Sequence, residues 1–319
     1  MDGLHRPRNT GAPREPPPTG ITVRIAAQPA AHPTQSAALV SVGTQVWIVA
    51  GGLRFEVDPG RRDQVLRALG LADATPVTVD DRWINLFDPG EPLRPFTLPG
   101  AGGAVLGTTL RAGQVVHPTS MAADDRFLVG TDGSLAPLSP FALRLYRIDT
   151  PGDLGDPVDI DPSEIETLPN AQHVAGSETW PHGVPDRLTG DAPCALTVPD
   201  GPRARTVLAA IPGTPAAAPT TQDAPGTTVT VEPGTGALVV TSATGDGQSA
   251  ESTYLIDATG TAYPVADADA VARLGYGHVT PPSLSPGWIA LLPAGPELSV
   301  TAAGQGLTAS RSTTAQDAP

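Results

Sequence analysis

The amino-acid sequence predicts an elongated, β-rich α+β protein in which small hairpin-plus-helix repeat domains are arranged around a central β-sheet domain. Two observations predict this class. A hairpin-and-helix pattern recurs 205 positions along the chain, and period-two segments typical of strands lie outside it. Glycine and proline supply 35 and 37 of the 319 residues and aromatic residues only 4%, so a single thick core is not expected.

The first copy of the pattern predicts a repeat domain over residues 44–98. An apolar β-branched run at 46–49 and a period-two segment at 53–57 flank a Gly-Gly turn, which is typical of a β-hairpin. A short helical pattern follows and ends at Gly70, the expected helix C-cap, and a second helical turn begins at Trp83.

The C-terminal copy predicts a repeat domain over residues 251–300. Its hairpin strands are expected at 253–257 and 261–265. Gly275 and Trp288 stand 205 positions after Gly70 and Trp83, and 24 positions from Gly70 onward align without a gap. The two stretches are therefore expected to share one architecture.

A third, less regular copy is predicted at residues 104–148. A strand pattern at 126–129 turns through a Gly-Thr-Asp-Gly sequence and returns at 134–138. Ser139 followed by Pro140 predicts an N-cap and the first turn of a helix.

The rest of the chain is assigned to the central β domain and to three connecting or terminal segments. Residues 20–43 and 149–250 are predicted as the central domain, with a linker at about 214–226. Residues 1–19 and 301–319 are predicted as disordered tails. Strand patterns expected in the central sheet are 20–25, 204–208, 226–231 and 237–240.

Charge and residue usage exclude several classes of function. The chain has 33 acidic against 19 basic residues, a formal charge of −14, so nucleic acid and anionic lipid would be repelled. All basic residues apart from histidine are Arg, which removes P-loop and Schiff-base chemistry that depend on Lys. Cys194 is the only cysteine, so neither an internal disulfide nor a cysteine-rich zinc site can form.

The repeat and its flanking segments resemble the EccB family, a membrane component of the ESX, or type VII, secretion system of actinobacteria. The resemblance covers about residues 20–303. The segments that carry it are 231–239, 254–260, 263–265, 274–277 and 291–298.

The resemblance implies a modular protein on the extracytoplasmic side of the cell membrane. Its partners would be other type VII secretion membrane components and further copies of itself. It also implies a cytosolic tail, a membrane helix and an additional first repeat before the present start, so the chain is expected to be N-terminally truncated. Cys194 sits where the family carries half of a disulfide whose partner lies upstream. As written, the chain has no apolar run long enough to span a membrane and is expected to be soluble.

Some members of the family have been described as ATPases, an activity that would require a phosphate-binding site. Glycines at 51–52 and 100–103 are not followed by Lys-Ser or Lys-Thr, and we interpret them as turns. The acidic segment 156–166 could hold calcium, but it has no glycine for an EF-hand turn. We expect Asp161 to be an N-cap before Pro162, with Glu164 in capping-box position.

No catalytic, cofactor-binding or metal-ligating residue is predicted. The histidines lack metal-ligand spacing, including the pair His173 and His182 that flanks Trp180; they stand at 5, 32, 117, 173, 182 and 278. No Gly-x-Ser-x-Gly motif occurs, which leaves open a Ser-His-Asp arrangement formed only in space. The four tryptophans, at 47, 83, 180 and 288, are interpreted as core residues of the repeats, with a sugar-stacking platform as the alternative.

The sequence therefore predicts a non-catalytic structural subunit of the type VII secretion membrane complex. Two alternatives stay open. The first is a module that binds peptidoglycan or polysaccharide in the cell envelope, and the second is a nucleotide hydrolase.

Overall fold

A computed structural model describes residues 20–150, 152–166, 168–172, 174, 176–201, 203–213, 226–245 and 248–304. The predicted N-terminal tail, most of the predicted linker and the chain after residue 304 lie outside the described residues. The predicted C-terminal tail begins at residue 301, but residues 301–304 are the end of a helix. Its first turn is stabilised by the Ser299 hydroxyl, which accepts a hydrogen bond from the Ala302 backbone N–H over 3.1 Å.

The strands and helices are short and numerous. The strands are β1 (Ile21–Ile25), β2 (His32–Pro33), β3 (Ala37–Val42), β4 (Gln45–Ala50), β5 (Leu53–Glu56), β6 (Val77–Thr78), β7 (Asp88–Pro89), β8 (Val115–Pro118), β9 (Phe127–Val129), β10 (Leu135–Pro137), β11 (Val158–Ile160), β12 (Pro193–Asp200), β13 (Arg203–Ala210), β14 (Thr227–Val231), β15 (Ala237–Gly245), β16 (Gln248–Ile256), β17 (Ala262–Val265) and β18 (Ser283–Leu284). The helices are α1 (Arg62–Ala68), α2 (Asp81–Ile84), α3 (Pro140–Asp149), α4 (Gly152–Gly155), α5 (Pro162–Ile165), α6 (Ala268–Arg273), α7 (Pro286–Ile289) and α8 (Val300–Gly304). The predicted β-rich α+β class is confirmed.

The first repeat is a five-stranded sheet with the order β6-β3-β4-β5-β7. Strands β3, β4 and β5 form an antiparallel meander, and β4–β5 is the predicted hairpin. The short strand β6 runs parallel to β3, and β7 runs parallel to β5. Helix α1 connects β5 to β6 and α2 connects β6 to β7, so a helix lies in the connection between the strands of each parallel pair.

The second repeat along the chain, predicted at residues 104–148, and the C-terminal repeat have the same strand order as the first. In the second, β8, β9 and β10 form the meander, β11 is parallel to β8, and Asn170 pairs in parallel with Leu135. In the C-terminal repeat, β15, β16 and β17 form the meander, β18 is parallel to β15, and Leu298 pairs in parallel with Val265. One topology is thus used three times in the described residues.

The first and C-terminal repeats begin one strand earlier than the sequence predicts. Strand β3 lies in the predicted start of the central domain and β15 in its predicted last part, yet each is the first strand of a repeat sheet. The second repeat also extends past its predicted end at residue 148, because β11 and Asn170 complete its sheet. No strand was predicted at 37–42, and 237–240 was placed in the central sheet because period-two alternation identifies a strand but not its neighbour. The assignment of the remaining segments to a central domain stays a prediction.

The helices that follow the hairpins end at the predicted glycines. Gly70 and Gly275 have φ angles of 75° and 90°, a left-handed conformation that favours glycine. The backbone N–H of Leu71 donates to the carbonyl of Leu66 over 2.7 Å. The N–H of Tyr276 makes the corresponding bond in the C-terminal repeat over 3.1 Å. These are the six-to-one bonds of the Schellman motif.

A glycine in the last segment of the first and C-terminal repeats lies against an aromatic ring. A Cβ on Gly90 would stand 2.3 Å from Cε1 of Phe55, and one on Gly295 would stand 2.3 Å from Cδ1 of Tyr263. A side chain at either position would collide with the ring. The backbone approach that completes each sheet therefore requires glycine.

The described residues divide into two compact units. Within the described residues, unit 1 contains Ala31–Leu196 and Val207–Gly226, and it holds the first two repeats. Its main cluster of buried side chains comprises Ala37, Leu39, Val46, Ile48, Phe55, Val57, Val65, Leu66, Leu69, Leu93, Val115, Leu128, Leu138, Phe141, Ala142, Leu143, Leu145, Tyr146, Val174 and Trp180. Because this cluster draws on both repeats, they share one core.

Unit 2 contains Ile21–Ala30, Thr197–Thr206 and the chain from Thr227, and it holds the C-terminal repeat. Its smaller core is built on Val239, Ile256 and Ala262. The predicted strands β1 and β14 are confirmed and pair in parallel, with Ile21 opposite Thr227. Among the described residues, none of the helices has the length and apolar character needed to cross a bilayer.

Candidate functional site

The contact between the first two repeats shows how one repeat binds another. The buried cluster of unit 1 contains Val65, Leu66 and Leu69 from α1 and its C-cap, and Phe141 and Leu145 from α3. The two helices contact each other directly. Helix α1 has only seven residues, a length at which an isolated helix is marginal in water. Packing on α3 therefore stabilises it.

Polar groups fix the edge of this contact. The guanidinium of Arg144 donates from Nη1 to the backbone carbonyl of Ala68, the last residue of α1, over 3.2 Å. Arg61, at the start of α1, forms an ion pair with Asp149 at the end of α3. An Arg at a helix C-terminus satisfies a carbonyl that lacks a partner within the helix. Together the two contacts set the position of α1 along α3.

Hydrogen bonds at its N-terminus and from one of its buried side chains fix the position of helix α3. The Ser139 hydroxyl accepts from the Ala142 N–H over 3.1 Å, and Pro140 occupies the first turn, which confirms the predicted N-cap. The buried Tyr146 hydroxyl donates to the Gly113 carbonyl over 2.6 Å. Burial raises the pKa of Tyr146. The ring therefore stays neutral and can keep donating.

An aromatic cluster closes one side of the shared core. The Phe96 ring centroid lies 5.2 Å from that of Tyr146 and 5.8 Å from that of Trp180, and Phe141 lies 6.2 Å from Trp180. The Trp180 indole N–H donates to the Glu91 carbonyl over 3.1 Å. These separations are typical of stabilising tilted and edge contacts. Trp180 is therefore a core residue and is not free to stack on a sugar.

The other three tryptophans also pack on their own units. Arg54 lies over the Trp47 ring at 5.5 Å, and Trp83 contacts Phe87 edge-on. The Trp288 indole donates to the Thr206 hydroxyl over 2.9 Å. All three side chains are half-buried. Each indole is thus engaged by a neighbour.

The glycine-rich segment 100–103 forms turns whose N–H groups are already used. The N–H groups of Ala101, Gly102 and Gly103 donate to the carbonyls of Leu98, Ala112 and Gly100. A phosphate cradle needs successive N–H groups that point at the ligand. This segment offers none of those three, which supports the interpretation as a turn.

The carboxylates of the acidic segment 156–166 bind separate partners. Asp161 is the N-cap of α5 and accepts from the Ser163 N–H over 2.9 Å, as predicted; hydrogen bonds from Ser163 lower its pKa. Asp156 pairs with Arg147, and Asp159 with the imidazole of His117, each over 2.9 Å. Within the described ranges, no three His, Cys, Asp or Glu side chains are grouped as a metal site would require.

The Ser139 hydroxyl, the His182 imidazole and the carboxylates of Asp124 and Asp125 line one cleft, but among the described residues no hydrogen bond joins His182 to any of them. His182 lines an open cleft of about 270 Å³ together with Arg126, Ser139 and Trp180, while His173 lies outside the described residues. Cys194 is a free, half-buried thiol on β12. Burial raises the pKa of Cys194, against a hydrogen bond from the Ile211 backbone, so the thiolate that reacts is disfavoured.

Comparison with known proteins shows which family the chain belongs to. The model of the family described as type VII secretion system ESX-1, transport TM domain B, matches residues 8–309. The chain belongs to this family, EccB. No curated protein matches the chain.

Solved structures share the fold of this EccB chain at low sequence identity. The EccB3 dimer from an ESX-3 core complex is 22% identical, with 94% of this chain and 85% of that chain covered and a TM-score of 0.67. A periplasmic assembly from an ESX-5 inner membrane complex is also 22% identical, with 87% and 73% covered and a TM-score of 0.60. An intact ESX-5 inner membrane complex gives 22% identity, 87% and 61% coverage and a TM-score of 0.62.

Proposed function

We propose that this EccB chain is a non-catalytic structural subunit of the type VII secretion membrane complex and acts on the extracytoplasmic side of the membrane. The observation that carries the proposal is the family match across residues 8–309. The structures it resembles are named as a periplasmic assembly, an inner membrane complex and a dimer. Its partners would be other membrane subunits of the secretion system and further copies of itself.

The described side chains support a structural role. Tyr146 and Trp180 of the shared core pack against their neighbours and donate hydrogen bonds to backbone carbonyls. The chain contains no Lys, and three backbone N–H groups of the glycine-rich segment 100–103 already donate to backbone carbonyls. Repeats that bind one another through helices provide surfaces for assembly, which is what a scaffold subunit requires.

The test is incorporation into the membrane complex. The full chain, in the longest form its gene encodes, is produced with the other membrane subunits in a host that lacks its own copy. We expect it to co-purify with them and to restore secretion of a type VII substrate. Failure to co-purify would refute the proposal.

A matched pair of variants tests whether incorporation requires the folded shared core. Leu69→Asp places a carboxylate in the shared core of unit 1, where Leu69 is 4% exposed, and should abolish incorporation. Leu106→Asp changes a leucine that is 97% exposed and should leave incorporation unchanged. Nucleotide hydrolysis is measured on the same preparations. We expect no phosphate release that follows the protein peak, and release abolished by a point substitution would contradict the non-catalytic role.

A further inference from the structure

An exposed loop of the second repeat is joined to its sheet by side-chain hydrogen bonds. The loop comprises residues 119–125, which connect β8 to β9 and are all exposed. Its second half is a turn. The Asp125 N–H donates to the Ala122 carbonyl over 2.8 Å, and the Asp125 carboxylate accepts from the Ala122 N–H over 3.1 Å. Because the turn buries so little, its position depends on bonds from the sheet.

His117 makes the shorter of two side-chain bonds to this turn. It lies on β8, and its Nε2 is 3.1 Å from the Ala122 carbonyl oxygen. The other bond comes from Arg126, directly before β9, whose Nη1 is 3.4 Å from the Asp124 carboxylate. Asp124 is 74% exposed, and a long ion pair at such a site contributes little. The position of the turn therefore depends mainly on His117.

His117 can bond the loop only while both of its ring nitrogens carry hydrogen. Its Nδ1 lies 2.9 Å from the carboxylate of Asp159, which is opposite His117 on the parallel strand β11. A neutral imidazole has a single N–H, and a carboxylate is a stronger acceptor than a backbone carbonyl. The remaining proton therefore stays on Nδ1. Nε2 then presents a lone pair to the Ala122 carbonyl oxygen, and the contact becomes repulsive.

The turn also forms part of the open cleft of about 270 Å³. Asp124 and Asp125 line this cleft together with Trp180 and His182, which come from a segment far along the chain. Trp180 belongs to the shared core of unit 1, and its indole N–H is bonded to a backbone carbonyl, so its part of the lining is fixed. A change in the position of the turn therefore changes the shape of the cleft.

We propose that His117 is a proton-controlled latch, whose imidazolium fixes the loop 119–125 and its part of the cleft, and which releases both when the ring loses a proton. Two acceptors, one on β11 and one on the loop, face the two nitrogens of a single ring. Histidine is the side chain whose charge changes near neutral pH, so the latch would respond to modest changes in acidity.

The charges around His117 determine the direction of the response. The hydrogen bond with Asp159 raises the pKa of His117 above 6.5, against burial and the charge of Arg126. The carboxylates of Asp124 and Asp125, on the turn, bind Arg126 and a backbone N–H. A raised pKa means that the ring is charged below about pH 6.5 and loses its proton as pH rises through the folded-state value. The loop is therefore held at acid pH and released at alkaline pH.

A nitroxide spin label on the loop measures its motion in the purified full chain. With Cys194→Ser as background, Ala123→Cys places the label on the exposed turn. Electron paramagnetic resonance spectra are recorded between about pH 5 and pH 9. We expect the label to rotate at least about twofold faster at the alkaline end, with a midpoint equal to that of the His117 titration. Label motion that does not change with pH would overturn the proposal. Because the latch goes beyond the proposed function, that result would leave the structural role intact.

Two histidines that flank the turn provide the variant and its control. His117→Phe keeps an aromatic ring on β8 but has no N–H, so the label should move freely at every pH. His182 lines the same cleft, and its ring makes no hydrogen bond among the described residues. His182→Phe should therefore keep the pH profile of the parent. Far-ultraviolet circular dichroism checks that both variants fold. A pH profile that survives His117→Phe, or that His182→Phe removes, would refute the latch.

A pair of aspartates tests the latch without changing the histidine. Asp159→Asn removes the charge that favours the imidazolium, so the midpoint of label motion should move to lower pH while the label stays immobilised at the acid end. Asp156→Asn is the matched control, because Asp156 lies nearby, is 75% exposed like Asp159 and pairs with Arg147 instead. It should leave the midpoint unchanged. An unchanged midpoint in Asp159→Asn, or equal shifts in the two variants, would overturn the proposal.

Discussion

The first and C-terminal repeats have one topology and two different environments. The strands within each repeat have the same order, although the sheet of the C-terminal repeat continues from β18 to β13, and their helices end at glycines with the same six-to-one hydrogen bond. Yet Leu69 is 4% exposed and its equivalent, Leu274, is 42% exposed. The comparison teaches that local sequence determines the repeat fold, whereas a neighbouring helix determines how much of the repeat helix is buried.

The largest effect expected from this comparison is a difference between two identical substitutions. Leu69→Ala should destabilise unit 1 by about 2–5 kcal/mol, because it leaves a cavity in a shared core. Leu274→Ala removes the same atoms from an exposed position and should change stability by less than about 0.5 kcal/mol in the monomer. Urea denaturation followed by tryptophan fluorescence measures both. Equal destabilisation would show that the two helices are buried alike, and the comparison would fail.

The glycines that lie against aromatic rings come next in expected size. Gly90→Ala should cost about 1–3 kcal/mol, because Phe55 is 1% exposed and its ring has no room to move from the added Cβ. Gly295→Ala should cost less, because the Tyr263 ring is half-buried and can turn away. Thermal unfolding by circular dichroism gives the two shifts. A larger shift for Gly295→Ala would mean that the C-terminal repeat is the more tightly packed one.

A pair of helix caps sharpens the comparison at a smaller scale. Asp80 caps α2 and accepts from the Arg82 N–H over 2.9 Å, while the equivalent Ser285 before α7 makes no side-chain cap hydrogen bond. Asp80→Ala should therefore cost about 1 kcal/mol and Ser285→Ala only a few tenths. Chemical denaturation of both variants beside the parent tests this. Matching losses would indicate that the Ser285 hydroxyl does cap α7 in solution.

Local signals made much of the fold predictable. The hairpin, the glycine C-caps and the caps at Ser139 and Asp161 each depend on residues a few positions apart, so the sequence pattern contains the interaction itself. The partners of β3 and β15 depend on pairing between segments, and single-strand alternation is silent on pairing. The helix at 300–304 was missed because its composition, small and polar, resembles that of a tail.

The interaction surfaces were less predictable than the fold. Apolar positions on α1, α3 and α6 are visible in the sequence, but which helix covers which is a matter of tertiary packing. The decisive signal was available all the same, because the repeat alignment places Leu69 opposite Leu274. Alignment alone cannot reveal that one is buried and the other exposed, since the residue is the same in both.

The smallest expected effect is a pH dependence of stability in the second repeat that the first repeat lacks. It comes from one cross-strand pair that holds an equivalent place in the two sheets. Ser41 and Thr78 face each other between β3 and β6, with hydroxyls 3.5 Å apart, and His117 and Asp159 occupy this place between β8 and β11. His117 Nδ1 lies 2.9 Å from the Asp159 carboxylate and Nε2 lies 3.1 Å from a backbone carbonyl. Only a protonated imidazole can donate to both.

The hydrogen bond with Asp159 raises the pKa of His117 above its ordinary value of 6.5, against burial and the opposing charge of Arg126. A raised folded-state pKa means that the added stability is complete below about pH 6.5 and is lost as pH rises through the folded value. Histidine titration by NMR should show the raised pKa, and Asp159→Asn should lower it. Stability of the parent should then fall relative to Asp159→Asn across that same pH range. An unchanged pKa of His117 in the variant would show that Asp159 does not raise it. The first repeat has hydroxyls at this position, so its Ser41–Thr78 pair should add no pH dependence to stability.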